Sequence, residues 1–206
     1  MDVLVVLGRT LSFSLAAGIN LYATVALIGL AERYGWVALP PEYAPLGHAW
    51  VIGLAATLYV VEFFADKVPW IDTLWDAVHT FIRPVGGAAL AVAALGDASP
   101  AAQVAAALLG GTVAAGSHFA KAGTRVVVNT SPEPFSNWTL SLLEDGFVAG
   151  LGLLALKFPL LALGASVIII LTLAFFAVVL ARAVRRRFFT RAGATPGSLA
   201  KDPSRI

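Results

Sequence analysis

The chain is predicted to be an all-α, polytopic transmembrane bundle of about six spans with polar helix breaks. Three observations predict it. Hydrophobic residues make up 59% of the 206 and charged residues only 13%, where a soluble domain carries roughly 45–50% and about 25%. The apolar residues gather into runs near the ~20 residues a helix needs to cross a hydrocarbon layer of about 30 Å. The polar residues gather between those runs, in two clusters, Glu62–Arg83 and His118–Asp145.

Composition also excludes. Without cysteine there are no disulfides, thiolate metal sites or Cys nucleophiles. A formal charge of +2 is too small for a nucleic-acid partner. The arginines concentrate near the C-terminal end, which suits a membrane surface. The start, MDVLVVLGR, has no basic n-region or small-residue cleavage site, so no removable signal peptide is expected.

The spans follow in order. The first runs over Val3–Ala31, long enough to tilt or break, with Gly18 and Asn20 as its weak point. The second covers Ala49–Ala65, the third Asp72–Leu95, the fourth Ala101–Val128, the fifth Ser136–Leu156 and the sixth Pro159–Arg182. Pro100 and Pro159 suit helix starts, where a missing N–H costs nothing, and Ser136 suits an N-cap after the Pro132–Pro134 break. Residues 1–192 would form one bundle and 193–206 a disordered cytoplasmic tail rich in Gly, Pro and Ser.

Six crossings put both termini and both polar clusters on one face. Lys67, Arg83, Lys121, Arg125, Arg182, Arg185, Arg186, Arg187 and Arg191 gather there, against Arg33 and Lys157 opposite. The excess marks that face as cytoplasmic. Tyr34, Trp36, Tyr43 and Trp50 would form an outer aromatic belt. A weak internal repeat pairs Phe64-Ala65 with Phe119-Ala120, and Trp75…Gly87 with Trp138…Gly150; transporters often bind solute between such repeats.

Four constellations could carry chemistry. Asp72, Asp76, His79 and Arg83 fall at i, i+4, i+7 and i+11, one narrow helical stripe opposite Leu74, Ala77, Val78 and Phe81. That stripe could line a water-filled cavity and relay protons, or bind a metal through two carboxylates and an imidazole, the metal-ligand candidates being Asp76, His79 and, from the second cluster, His118; a wet face at the membrane interface is the plainer reading. Glu62 and Asp66 share a face at the end of the second span, and Glu62 follows a continuous apolar run. His118, Lys121 and Arg125 share another face and, with Arg83, could hold an anion or pair with Glu62, Asp66, Asp76, Glu144 and Asp145. Asn129–Trp138 reads as a Pro-stiffened substrate loop in which Asn129, Ser136 and Asn137 would orient a solute. Gly110-Gly111, Gly150 and Gly152 suit close helix packing.

The stretches AAGINLYATVALIGL, VEFFADKVPWIDTLWDAVHTFIRP and KAGTRVVVNTSPEPFSNWTLSLLED resemble the signature stretches of a bacterial integral-membrane family catalogued as domain of unknown function forty-one twenty-six. The resemblance covers about Leu15 to Leu156 and implies a multi-pass membrane protein, with no functional residue to carry over.

Three functions follow as expectations. The first is a small secondary transporter for an anionic or zwitterionic solute or a lipid headgroup. In it Glu62, Asp66, Asp72, Asp76 and His79 carry the coupling ion or proton, and Arg83, Lys121, Arg125, Asn129, Ser136 and Asn137 hold the solute. The second is a metal- or haem-binding membrane protein or enzyme, although His48 at the far face argues against a three-histidine site. The third is a scaffold whose charges only pair. The bilayer is the expected partner, an oligomer is open, and the cofactor is unknown.

Overall fold

The computed structural model describes residues 2–130 and 134–189. All regular structure there is helical: α1 (Val3–Ile19), α2 (Leu21–Arg33), a 3₁₀ segment (Pro41–Gly47), α3 (Ala49–Ala65), α4 (Pro69–Leu95), α5 (Pro100–Asn129), α6 (Pro134–Lys157) and α7 (Pro159–Phe189). Met1–Ile170 form one compact unit and Leu171–Ile206 a second, of which the later part of α7 is described. The expected tail and Arg191 lie outside the described residues.

Sequence chemistry accounts for most boundaries. Asp2 caps α1 by accepting from the Leu4 amide at 3.0 Å, and Ser99 caps α5 ahead of Pro100. Proline opens α4, α5, α6 and α7, where its fixed φ suits the first turn. Two expectations are corrected. Ser136 is not an N-cap, because α6 already begins at Pro134. Asn129–Trp138 is mostly helix rather than loop: Asn129 ends α5 and Pro134 onward belongs to α6, while Ser131–Glu133 lie outside the described residues.

The first apolar run does break where Gly18 and Asn20 mark it. Asn20 alone is non-helical (φ −145°, ψ 97°), and its side chain accepts from the Ala23 amide to start α2. The two helices then double back. Were they one straight helix, residues 8 and 36 would lie about 42 Å apart. Instead a Cβ on Gly8 would lie 2.1 Å from the Pro159 carbonyl oxygen, and Lys157 Nζ donates to the Trp36 carbonyl at 3.1 Å. Both arms of this V thus reach the α6–α7 turn, and Asn20 is its tip. A single first crossing over Val3–Ala31 is therefore corrected to a V.

Among the described residues, three helices are long and apolar enough to cross a membrane: Pro69–Leu95, Phe135–Lys157 and Pro159–Arg187. A fourth span results if the bent pair Pro41–Gly47 and Ala49–Ala65 counts as one. The surface agrees with an apolar surrounding. On α4, Leu74, Val78, Phe81 and Val85 point outward while Asp72, Asp76, His79 and Arg83 are buried. This is the reverse of a water-soluble helix. It also removes the plainer reading of the stripe as a wet interfacial face.

Packing among the inner helices relies on small residues. A Cβ on Gly110 would sit 2.3 Å from Ala91 Cβ and 2.8 Å from the Gly87 carbonyl oxygen, so α4 and α5 approach almost backbone to backbone. A Cβ on Gly18 would lie 1.9 Å from Ser117 Oγ. Gly152 packs on Leu27, but Gly150 faces open space and serves no contact. The paired glycines of the suspected repeat therefore differ, since Gly87 meets Ala114. The apolar core joins Phe13, Ala17, Leu21, Ile28 and Ala31 of the V to Leu90, Ala94, Ala155 and Leu156. Tyr43 joins it too. It is fully buried, edge-on to Phe13, and donates to the Leu90 carbonyl at 2.9 Å. It is not a belt residue, whereas Tyr34, Trp36 and Trp50 are exposed.

Candidate functional site

The two polar clusters, far apart in sequence, form one buried ionic network. Arg83 (α4) donates to Glu62 at 2.8 Å and to Asp76 at 3.1 Å. Lys121 (α5) donates to Glu62 at 3.3 Å and Asp66 at 3.0 Å, with Glu144 (α6) at 3.6 Å. Arg125 donates to Asp66 Oδ2 at 3.0 Å, to Asn137 Oδ1 at 2.7 Å and to both carboxylate oxygens of Glu144. Glu62, Asp66, Asp72, Asp76, Arg83, Lys121 and Arg125 are all buried. Opposite charges removed from water pair by default, as the spacing anticipated.

Helix ends complete the cation sites. Arg83 and Lys121 reach the last carbonyls of α1, Gly18 at 3.4 Å and Ile19 at 3.3 Å. Arg125 donates to the Asp66 carbonyl at the end of α3 at 2.8 Å. Lys67 donates to the Phe63 carbonyl at 2.9 Å and lies over the Phe63 ring. A helix C-terminus carries partial negative charge and unsatisfied carbonyls, so cations belong there. Partial burial draws the Lys67 ammonium below its ordinary range.

The histidines are fixed as opposite neutral tautomers. His79 Nδ1 lies 2.7 Å from the Trp75 carbonyl, which can only accept, so Nε2 accepts from the Tyr22 hydroxyl at 2.9 Å. Arg83 donates at 2.8 Å to His118 Nδ1, so His118 Nε2 donates to Thr80 Oγ1 at 3.1 Å. Thr80 in turn donates to the Asp76 carbonyl at 3.0 Å. With both rings engaged, Asp76, His79 and His118 do not form a ligand set. No group of three or more His, Asp or Glu among the described residues is placed to hold a metal ion. His48 caps the opposite end of α3.

The solute-orienting candidates divide. Asn129 donates to Asp72 Oδ2 at 2.8 Å, and Asn137 is buried against Arg125. Ser136 is only half-buried. The sequence reading missed Tyr22, Thr80 and the two carbonyls at the end of α1. An Asn and a Tyr in the first apolar run were the available signal; a backbone carbonyl leaves none.

Acids outnumber bases here. Glu62, Asp66, Asp72, Asp76, Glu144 and Asp145 face Arg83, Lys121 and Arg125, and Lys67 at the rim leaves the balance negative. Glu62 Oε2, Asp66 Oδ1, Asp72 Oδ1 and Asp145 Oδ2 are buried without a hydrogen-bond partner.

Inverted burial and a charged centre define the class: a helical protein with the apolar exterior of a membrane protein, enclosing an ionic network. The chain belongs to the family described as Domain of unknown function (DUF4126), whose model matches residues 7–182. No curated protein and no solved structure matches the chain.

Proposed function

We propose that this protein is a small secondary transporter in which the ionic network carries the coupling ion and the V of α1 and α2 is the moving part. One observation carries this reading: an apolar helix pair breaks at a single residue, and its broken ends face the buried charges. Discontinuous helices whose free ends meet ions and solute are how many secondary transporters build a binding site. On this reading α5, packed almost backbone to backbone on α4, crosses together with the four spans α3, α4, α6 and α7, and the V is re-entrant, giving five crossings in place of six. The start of α1 then lies at the opposite membrane face from the α3–α4 and α5–α6 turns. The latter face is the cytoplasmic one on the arginine and lysine count.

The charge balance narrows the solute. Arg83, Lys121 and Arg125 each already hold at least two carboxylates. A purely anionic solute would have to displace one of them, whereas a zwitterion brings its own cation to the acidic excess. The proposed solute is therefore a small zwitterion, free or as a lipid headgroup. Proteoliposomes loaded with a pH-sensitive dye and challenged with zwitterionic, anionic and cationic solutes test this. Solute-dependent proton movement supports it. Absence of flux and of proton movement across the panel overturns it and leaves the scaffold reading, in which the ion pairs only tie α3 to α6 together.

A further inference from the structure

We propose that Asp145 is the proton-binding group of this protein, and that its protonation loosens the joint between α1 and α2. The inference deepens the transport reading by naming its coupled ion. Of the six acids, Glu62, Asp66, Asp76 and Glu144 hold a cation directly. Asp72 has Arg125 at 3.9 Å. Among the described residues Asp145 makes no ion pair. The side-chain amide of Asn20 donates to its Oδ1 at 3.3 Å. Its Oδ2 is buried without a partner in hydrogen-bond range among the described residues, and the Tyr59 hydroxyl on α3 is a second donor directed at the carboxylate. An ionised carboxylate accepts up to about four hydrogen bonds. A half-buried carboxylate whose inner oxygen lacks a partner is relieved by a proton or a small cation.

The surroundings select the proton. A metal or alkali ion needs several oxygen ligands; among the described residues no three acids are placed to share one, and the backbone oxygens at the tip are committed. Gly18 O serves Arg83, Ile19 O serves Lys121, and Asn20 O serves the Thr24 amide and hydroxyl. Asn20 Oδ1 caps α2 through the Ala23 amide at 2.9 Å. A proton needs one oxygen, and Oδ2 is available. The charges that act on Asp145 come from every side: Glu62 and Asp66 on α3, Lys67 in the following turn and Lys121 on α5. With Asp145 itself, three acids face two cations at the tip, so an added proton offsets repulsion.

Asn20 links the site to movement. It is the only non-helical residue between α1 and α2, and one side-chain amide both caps α2 and binds Asp145. A neutral Asp145 is a weaker acceptor for that amide. Protonation therefore weakens one of the three long hydrogen bonds that hold the tip to the network, the others being those of Arg83 and Lys121.

The chain has no cysteine, so Ala23→Cys supplies the only thiol, at the first turn of α2. A nitroxide spin label there, in nanodiscs, reports tip mobility across roughly pH 5 to 8. The expected result is a mobility increase on acidification, identical in sodium and choline buffers and lost in the Asp145→Asn background. A pH response that survives Asp145→Asn, a label that does not respond to pH, or a response produced by sodium at constant pH overturns the proposal. If Asp145→Asn does not fold, the unmutated chain carrying ¹³C-labelled aspartate decides by infrared spectroscopy. A titrating carboxyl band that does not shift with the label excludes Asp145; one that shifts, and loses that shift when Asp145→Glu replaces the labelled residue by an unlabelled one, supports it, and one that keeps the shift in Asp145→Glu overturns it. Neither measurement needs a solute. A titrating tip without flux refutes transport and keeps Asp145, while flux with a pH-blind tip does the opposite.

Discussion

Replacing Arg125 by glutamine tests whether the network is dry and shared. The guanidinium makes five hydrogen bonds, to the Asp66 carbonyl and carboxylate, Asn137 and both oxygens of Glu144. Arg125→Gln leaves Asp66 and Glu144 with Lys121 as their one close cation, in surroundings already rich in acid. The Arg125 and Asp66 side chains are only 2% and 3% exposed, so water screens little. Breaking such a pair from one side costs about 3–5 kcal/mol. Arg125→Gln with Glu144→Gln removes one stranded charge as well and should recover about 2 kcal/mol of the loss, a coupling that a double-mutant cycle reads directly. Reversible unfolding in mixed micelles titrated with dodecyl sulfate gives the numbers. A single-mutant cost under about 1 kcal/mol, typical of exposed pairs, would refute a dry network and the charge argument built on it.

Other outcomes follow from the same geometry. Gly18→Leu should cost about 2 kcal/mol or more in that assay, because its Cβ would overlap Ser117 Oγ and the Ala114 carbonyl, whereas Gly116→Ala, with nothing within 4 Å, should stay within about 0.5 kcal/mol. Single cysteines at Leu4 and Thr130 should label from opposite sides of oriented vesicles; labelling from one side would restore an even number of crossings. Tyr22→Phe removes the donor to His79 Nε2 and should destabilise the protein by about 1 kcal/mol, measured by the same unfolding titration. If Tyr22→Phe leaves stability unchanged, the hydroxyl is not a structural partner of His79.

Much of the architecture was legible because it obeys local rules. Proline before an apolar run marks a helix start, as at Pro100 and Pro159, and spacing alone put Asp72, Asp76, His79 and Arg83 on one stripe that is indeed buried together. The pairing of Lys121 and Arg125 with Glu62, Asp66 and Glu144 was legible too, since buried charges must find partners. Boundaries were less legible: Ser136 reads as a cap, yet Pro134 starts the helix two residues earlier. Tyr43 reads as a belt aromatic, yet the 3₁₀ segment folds it under Phe13.

By itself, the sequence determined a mostly apolar chain of helices with its charges confined to two stretches, because hydrophobic content and helical period are properties of neighbouring residues. It also marked Gly18 and Asn20 as the place where the first run would give way. Only the tertiary structure decided that this break reverses the chain and delivers the carbonyls of Gly18 and Ile19 to Arg83 and Lys121. It alone also decided which acid lacks a counter-ion. The direction of a turn and the sharing of cations among acids depend on contacts between residues as far as 125 positions apart, and no local pattern encodes them.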